Sequence, residues 1–304
     1  MKVLVIGGTG WVGHNVALAF EHAGHEVEIL CRGRGHGFDE EVSFLPRHQG
    51  DKTDRAFLAG VLEAGEYDVV VDSVPVPAVI ETLAEMPDSY GRYLHCGSTG
   101  VCTPLQYLPA DEEHPFATKS YEGFGGKVRA DQAVFDHSEE LRWTILRPCC
   151  IAGPGKFPLD NIGGRRPDFL KDLREGKEID LPGDGSVPLQ IVHVKDLARA
   201  FVQAAESGAT YGEVYHICGA HALPLWRYCE VNAEAVGGTL RWKGLSFDGM
   251  IAKYGEEIRG GLTFLVEPMC FTTEKARNDF GFAPEFTTEG AIRDCARAAL
   301  FQLS

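Results

Sequence analysis

The sequence predicts an α/β protein, a Rossmann-type doubly wound parallel sheet followed by a smaller C-terminal α/β lobe. Three observations carry this. Short apolar runs alternate with helical patterns through residues 1–150, a rhythm that implies parallel strands joined by right-handed crossovers. A glycine-rich turn, Gly7-Gly8-Thr9-Gly10-Trp11-Val12-Gly13, separates the first strand from the first helix. After Arg147-Pro148 the texture changes to a stretch rich in Gly, Pro and Arg.

The elements follow in order. Lys2–Ile6 is a short apolar run ending on glycines, so it reads as a buried strand. Trp11–Ala23 places Val12, Val16, Ala19 and Phe20 on one helical face. Further strands are expected at Val27–Leu30, Val42–Leu45, Asp68–Asp72, Arg92–Cys96 and Trp143–Leu146, with helices at Asp54–Glu63, Ala78–Glu85 and Lys127–His137. Residues 151–167 read as a long loop. Beyond it, helices are expected at Pro167–Gly176, Val194–Ser207, Leu225–Val236, Thr273–Phe280 and Thr288–Gln302. Short strands are expected near Ile179–Leu181, Leu189–Val192 and Val214–Ile217. The division is a nucleotide-binding domain over 1–150 and a substrate lobe over 151–304, some of whose strands and helices can return to the first domain.

The chain has 304 residues, enough for a hydrophobic core without disulfide or metal staples. Its net charge is −15. That argues against nucleic acid as a partner, because such affinity rests on Lys and Arg displacing counterions. The acid is uneven: residues 1–150 hold 12 Lys and Arg against 23 Asp and Glu, and residues 151–304 hold 17 against 21. No run approaches the ~20 apolar residues of a membrane span, and Val3–Ile6 runs straight into glycines without a cleavage-like site, so neither a membrane nor a secretory leader is expected. The nine cysteines form no C-x-x-C pair and read as free thiols in a reducing cytoplasm, with no metal site.

The glycine turn is the strongest signal. Gly7 and Gly10 let the backbone turn tightly toward a pyrophosphate, and Gly13 lets the helix pack close to the sheet. The helix start, with Thr9, Trp11 and Val12, then offers free N–H groups and partial positive charge to phosphates.

The spacing G-x-x-G-x-x-G resembles the extended short-chain dehydrogenase/reductase family, the NAD-dependent epimerases and dehydratases. So do Leu146-Arg147-Pro148 with Gly153-Pro154, Gly183-Asp184-Gly185, His193-Val194-Lys195-Asp196-Leu197-Ala198, and Thr287-Thr288-Glu289-Gly290. The run through Leu173-Arg174-Glu175-Gly176-Lys177 and Gln190-Ile191-Val192-His193 is similar to the branch holding the chloroplast stem-loop binding proteins and their bacterial relatives. The resemblance covers nearly the whole chain.

It implies a nicotinamide cofactor. Where an NAD-selective member carries an acid after the second strand, this chain reads Cys31-Arg32-Gly33-Arg34. Arginine pairs with a 2′-phosphate, so NADP is expected rather than NAD. Asp51 matches the family's adenine-contacting carboxylate, and Ser73, Val74 and Cys149 fall on further cofactor positions.

The family's chemistry needs a Ser or Thr, a Tyr and a Lys near the nicotinamide. Ser98 falls on the first position, with Thr99 beside it, and Lys127 on the last. The residue four before Lys127 is Gly123 rather than Tyr. Tyr121 lies six before, ~120° away on a regular helix, and reaches the site only if the glycine-rich stretch loops back. Cys149, His95 and His193 are the other candidates for the proton. The Arg that clamps a nucleotide-sugar diphosphate, shortly before His-Val-x-Asp, is also missing. Arg165 and Arg166 are candidates to replace it, with Cys150 a further candidate substrate contact.

Three functions compete: an epimerase, dehydratase or reductase acting on a carbohydrate-like alcohol; an RNA-binding or RNA-processing protein of the stem-loop type; and a cofactor-binding protein without catalysis. The first is expected, with a small-molecule substrate. A homodimer is an open option.

Overall fold

The computed structural model describes residues 1–33, 38–116 and 124–303. The first half runs β1 (Lys2–Ile6), α1 (Trp11–His22), β2 (Glu26–Cys31), β3 (Arg47–Gln49), α2 (Arg55–Gly65), β4 (Tyr67–Asp72), α3 (Pro77–Ala84), β5 (Tyr90–Cys96), α4 (Gly125–Asp136) and β6 (Trp143–Pro148). The second half runs β7 (Cys150–Ala152), α5 (Pro167–Arg174), β8 (Glu178–Pro182), β9 (Pro188–His193), α6 (Val194–Glu206), β10 (Glu213–Ile217), β11 (Ala222–Pro224), α7 (Leu225–Ala235), β12 (Arg241–Leu245), α8 (Phe247–Tyr254), α9 (Arg259–Val266), α10 (Glu274–Phe280) and α11 (Thr288–Phe301).

Seven strands form one sheet in the order β10-β6-β5-β4-β1-β2-β3. Every neighbouring pair is parallel. The order reverses around β1, as in a doubly wound fold, so crevices open at the carboxyl ends of the strands there. Alternation along β1 serves two layers. Val3 and Val5 join a core that includes Val16 and Phe20 of α1 and Phe201 of α6. Leu4 and Ile6 join a core with Leu58 of α2, Ile80 of α3 and Val134 of α4. Among the described residues two small sheets accompany it: β11-β9-β7, and the parallel pair β12-β8.

The third strand departs from expectation. Val42–Leu45 is a turn, with Leu45 N–H donating to the Val42 carbonyl at 3.1 Å. Val42 and Leu45 are buried and pack into the core beside α1 instead of extending, while Phe44 between them stays exposed. The true strand is Arg47–Gln49, whose polar side chains suit a half-solvated sheet edge. The strand at Glu213–Ile217 lies in the large sheet, where Val214 sits opposite Ile145 of β6. The stretch 151–167 opens with β7, which pairs with β9. Sequence patterning did not anticipate β12, α8 and α9, because β12 alternates around exposed Arg241 and Lys243 and each helix has only eight residues. All nine cysteines are unpaired. No helix among the described residues is long and apolar enough to cross a membrane.

Candidate cofactor and substrate site

The end of β1 turns sharply at Gly7, whose φ is +79°. A Cβ on Gly7 would lie 2.6 Å from Ser73 Oγ, and one on Gly13 would lie 2.1 Å from the Gly7 carbonyl oxygen. The turn, α1 and the end of β4 therefore meet at a distance only glycine allows. Ser73 Oγ–H donates to the Ile6 carbonyl at 2.9 Å, fixing the β4 end against the turn. The residue capping α1 is Gly10, with no side-chain cap hydrogen bond. The first N–H groups of α1 thus have no acceptor on their own helix and remain available to an anion.

Two cavities meet this helix start. One, of about 450 Å³, is lined by Gly7, Thr9, Gly10, Cys31, Arg32, Asp51, Lys52 and Val74. Asp51 accepts from Thr53 N–H at 2.9 Å and from Thr53 Oγ at 2.8 Å. Those bonds, with Arg32 and Lys52 nearby, hold its carboxyl below the usual range. The Lys52 ammonium reaches across to the buried Asp72 carboxylate at 3.1 Å and to the Val74 carbonyl, tying the β3 loop to the β4 loop over the crevice. Arg32 is exposed at the rim. Arg34 lies outside the described residues.

The second cavity, of about 350 Å³, is lined by Trp11, Val12, Ser98, Thr99, Cys149, Cys150, Lys156 and Arg165, with Leu159, Phe264, Met269 and Phe271 as its apolar wall. Ser98 closes β5 and accepts from Gly100 N–H at 3.2 Å. Lys127, in the first turn of α4, donates to the Cys96 carbonyl at 2.9 Å, which brings its ammonium to the same strand end. Phe124, just before α4, packs where a Gly100 side chain would be: a Cβ there would lie 2.0 Å from its ring. Tyr121 and Gly123 lie outside the described residues.

The other proton candidates are placed differently. His95 is sealed in the core, with Nε2 2.8 Å from Asp131 Oδ1 and Nδ1 3.1 Å from the Tyr93 hydroxyl. His193 caps α6, accepting from Lys195 N–H at 3.1 Å, and meets Asp294 at 3.0 Å. Cys149, the third, lines the second cavity with its thiol 4.0 Å from the Cys150 carbonyl. Cys150, the candidate substrate contact, lines it too, its thiol pushed up by burial to about 11. The two candidate arginines divide. Arg165 lines the cavity, its guanidinium donating to the Phe157 and Ile151 carbonyls at 2.5 and 3.3 Å. Arg166 is instead a loop staple, bound to the Asp160 carboxylate at 2.9 Å and Asn161 Oδ1 at 2.9 Å.

The family of NAD dependent epimerases and dehydratases matches residues 3–90 and 78–218. The chain belongs to that family. Among curated proteins it is similar to the chloroplast stem-loop binding protein of 41 kDa b of Arabidopsis thaliana, 26% identical over 96% of this chain and 78% of that protein. It is also similar to 2-alkyl-3-oxoalkanoate reductase of Stenotrophomonas maltophilia, 27% identical over 96% of this chain and 98% of that protein. Among solved structures, a UDP-glucose-4-epimerase of Stenotrophomonas maltophilia with bound NAD superposes with a TM-score of 0.80 at 15% identity, covering 100% of this chain and 99% of the other. At that identity the likeness shows the fold alone. Within this family fold, the glycine turn and Ser98 line the cavities at the strand ends, and Lys127 stands beside Ser98 at the end of β5.

Sequence reasoning missed Lys52, Lys156 and the wall of Phe264, Met269 and Phe271. Lys52 directly follows Asp51, so its neighbour was the signal. The wall comes from α9 and the segment after it, over 160 residues from Ser98, and local patterning carries no signal for it.

Proposed function

We propose that the chain is an NADP-dependent enzyme of the epimerase, dehydratase or reductase kind, acting at a carbinol carbon of a sugar, sugar derivative or nucleotide sugar. The observation supporting this reading is the pair of cavities flanking the uncapped start of α1, one bearing Arg32 and Asp51 and the other Ser98. A nicotinamide dinucleotide bound there would supply a hydride acceptor and donor. The residues present fit it: Gly7 and Gly10 would clear the approach, the α1 N–H groups would meet its phosphates, Asp51 would meet its adenine end, and Arg32 would meet a 2′-phosphate on its ribose.

This chain's own residues do the rest. Ser98 orients the substrate hydroxyl toward the α1 start. The Lys127 ammonium would hold the ribose and add positive charge where a hydroxyl must lose its proton, which favours the deprotonated form. Tyr121 is the proton carrier in this reading.

The test is nucleotide titration followed by turnover. NADPH should bind more tightly than NADH, and Arg32→Ala should weaken NADPH about tenfold, ~1.4 kcal/mol, while leaving NADH unchanged. Tyr121→Phe should abolish turnover without loss of nucleotide affinity. Failure to bind either nucleotide would overturn the reading.

A further inference from the structure

The second cavity carries a charge pattern at odds with the rest of the molecule. In a chain of net charge −15, its lining among the described residues includes Lys156 and Arg165 and not one Asp or Glu. Among the described residues neither cation meets a carboxylate. Arg165 is held by the Phe157 and Ile151 carbonyls, which fix its guanidinium without neutralising it. The Lys156 ammonium stands over the Trp11 ring, 4.7 Å from its centroid, and Trp11 is itself pinned by its indole N–H donating to the Pro154 carbonyl at 2.6 Å. Two cations in one small cavity with no carboxylate partner among the described residues favour an anion there.

We propose that Lys156 and Arg165 form an anion-recognition pair, and that the substrate is a compact hydroxy or oxo acid whose own carboxylate or phosphate they bind while its reacting carbon faces Ser98. This deepens the proposed function and rests on it for the reacting carbon alone. Size supports it. A cavity of about 350 Å³ stands at the lower end of small-molecule sites, roughly 300–1,000 Å³, so the anion must be borne close to the reacting centre. The wall of Leu159, Phe264, Met269 and Phe271 suits an apolar flank on the same molecule. Partial burial and the nearby Arg165 charge hold the Lys156 amine below its ordinary value, although part of the side chain remains exposed at the cavity mouth. A bound anion would oppose that effect by favouring the charged form.

The test reads binding, so it stands apart from turnover. Full-length protein with saturating NADPH is titrated calorimetrically with inorganic phosphate and, separately, with oxalate. Saturable binding of at least one is expected. Lys156→Met, which keeps the aliphatic stem over Trp11, should weaken it about tenfold, and Lys156→Arg should restore it. Phosphate alone binding points to a phosphorylated substrate; oxalate binding points to a carboxylic acid. No saturable binding of either anion, or equal binding by Lys156→Met, overturns the proposal. Loss of NADPH binding with anion binding intact would instead overturn the nucleotide reading.

Discussion

Replacing Asp131 by Ala should cost about 3–5 kcal/mol of stability, because it strands a buried guanidinium. Asp131 is 0% exposed and Arg147 is 3% exposed. One carboxylate oxygen faces His95 Nε2 at 2.8 Å and the other accepts from Arg147 Nε at 2.9 Å. Two charge-assisted bonds at roughly 1.5–3 kcal/mol each give an overlapping range, about 3–6 kcal/mol. Burial opposes ionisation of Asp131, yet the His95 hydrogen bond and the Arg147 charge outweigh it and hold the carboxyl below the usual range. Against a total stability of roughly 5–15 kcal/mol, the loss is large. Asp131 also lies one helical turn after Lys127 on α4, so its anchor to β5 and β6 sets where Lys127 stands. The assay is urea unfolding followed by circular dichroism. Asp131→Leu combined with Arg147→Met should cost less than the two single changes summed, because the stranded charge is gone. A loss under about 1 kcal/mol for Asp131→Ala, or strict additivity in the double variant, would refute the reasoning.

Two more outcomes are expected. Gly13→Ala drives a Cβ to 2.1 Å from the Gly7 carbonyl oxygen and 2.9 Å from Ser73 Oγ; it should cost about 1–3 kcal/mol and abolish nucleotide binding, read by thermal shift and by NADPH fluorescence. His216 is fully buried, and burial with the nearby Arg147 charge pushes its pKa down to about 3. The unfolded chain therefore takes up a proton that the folded one refuses, and stability should fall as pH drops from about 6.5 toward 3. His216→Phe should flatten that part of the pH profile, and an unchanged slope would count against the assignment.

The local parts of this site were legible and the assembled parts were not. The glycine turn, Ser98 and Lys127 each announce themselves through a neighbouring strand or helix, so sequence order places them. Arg165 and Arg166 looked equivalent as adjacent loop cations, and only the folded loop separates them, giving Arg166 to Asp160 and Arg165 to the cavity. Val42 and Leu45 had the apolar character of a strand, but a turn buries them equally well. Polar Arg47–Gln49 gave no apolar signal because an edge strand needs none.

The position of β10 has a consequence for how the chain is made. Its backbone covers β6 through Thr144, Leu146 and their neighbours, and buried Arg92 of β5 reaches the Ala205 and Ser207 carbonyls at the end of α6 at 2.9 and 3.0 Å. During synthesis from the N-terminus, β6 stays an open, apolar edge until residue 217 has left the ribosome. A polypeptide stopped near residue 150 would carry the complete glycine turn and still expose a sticky strand, prone to pair with another copy of itself.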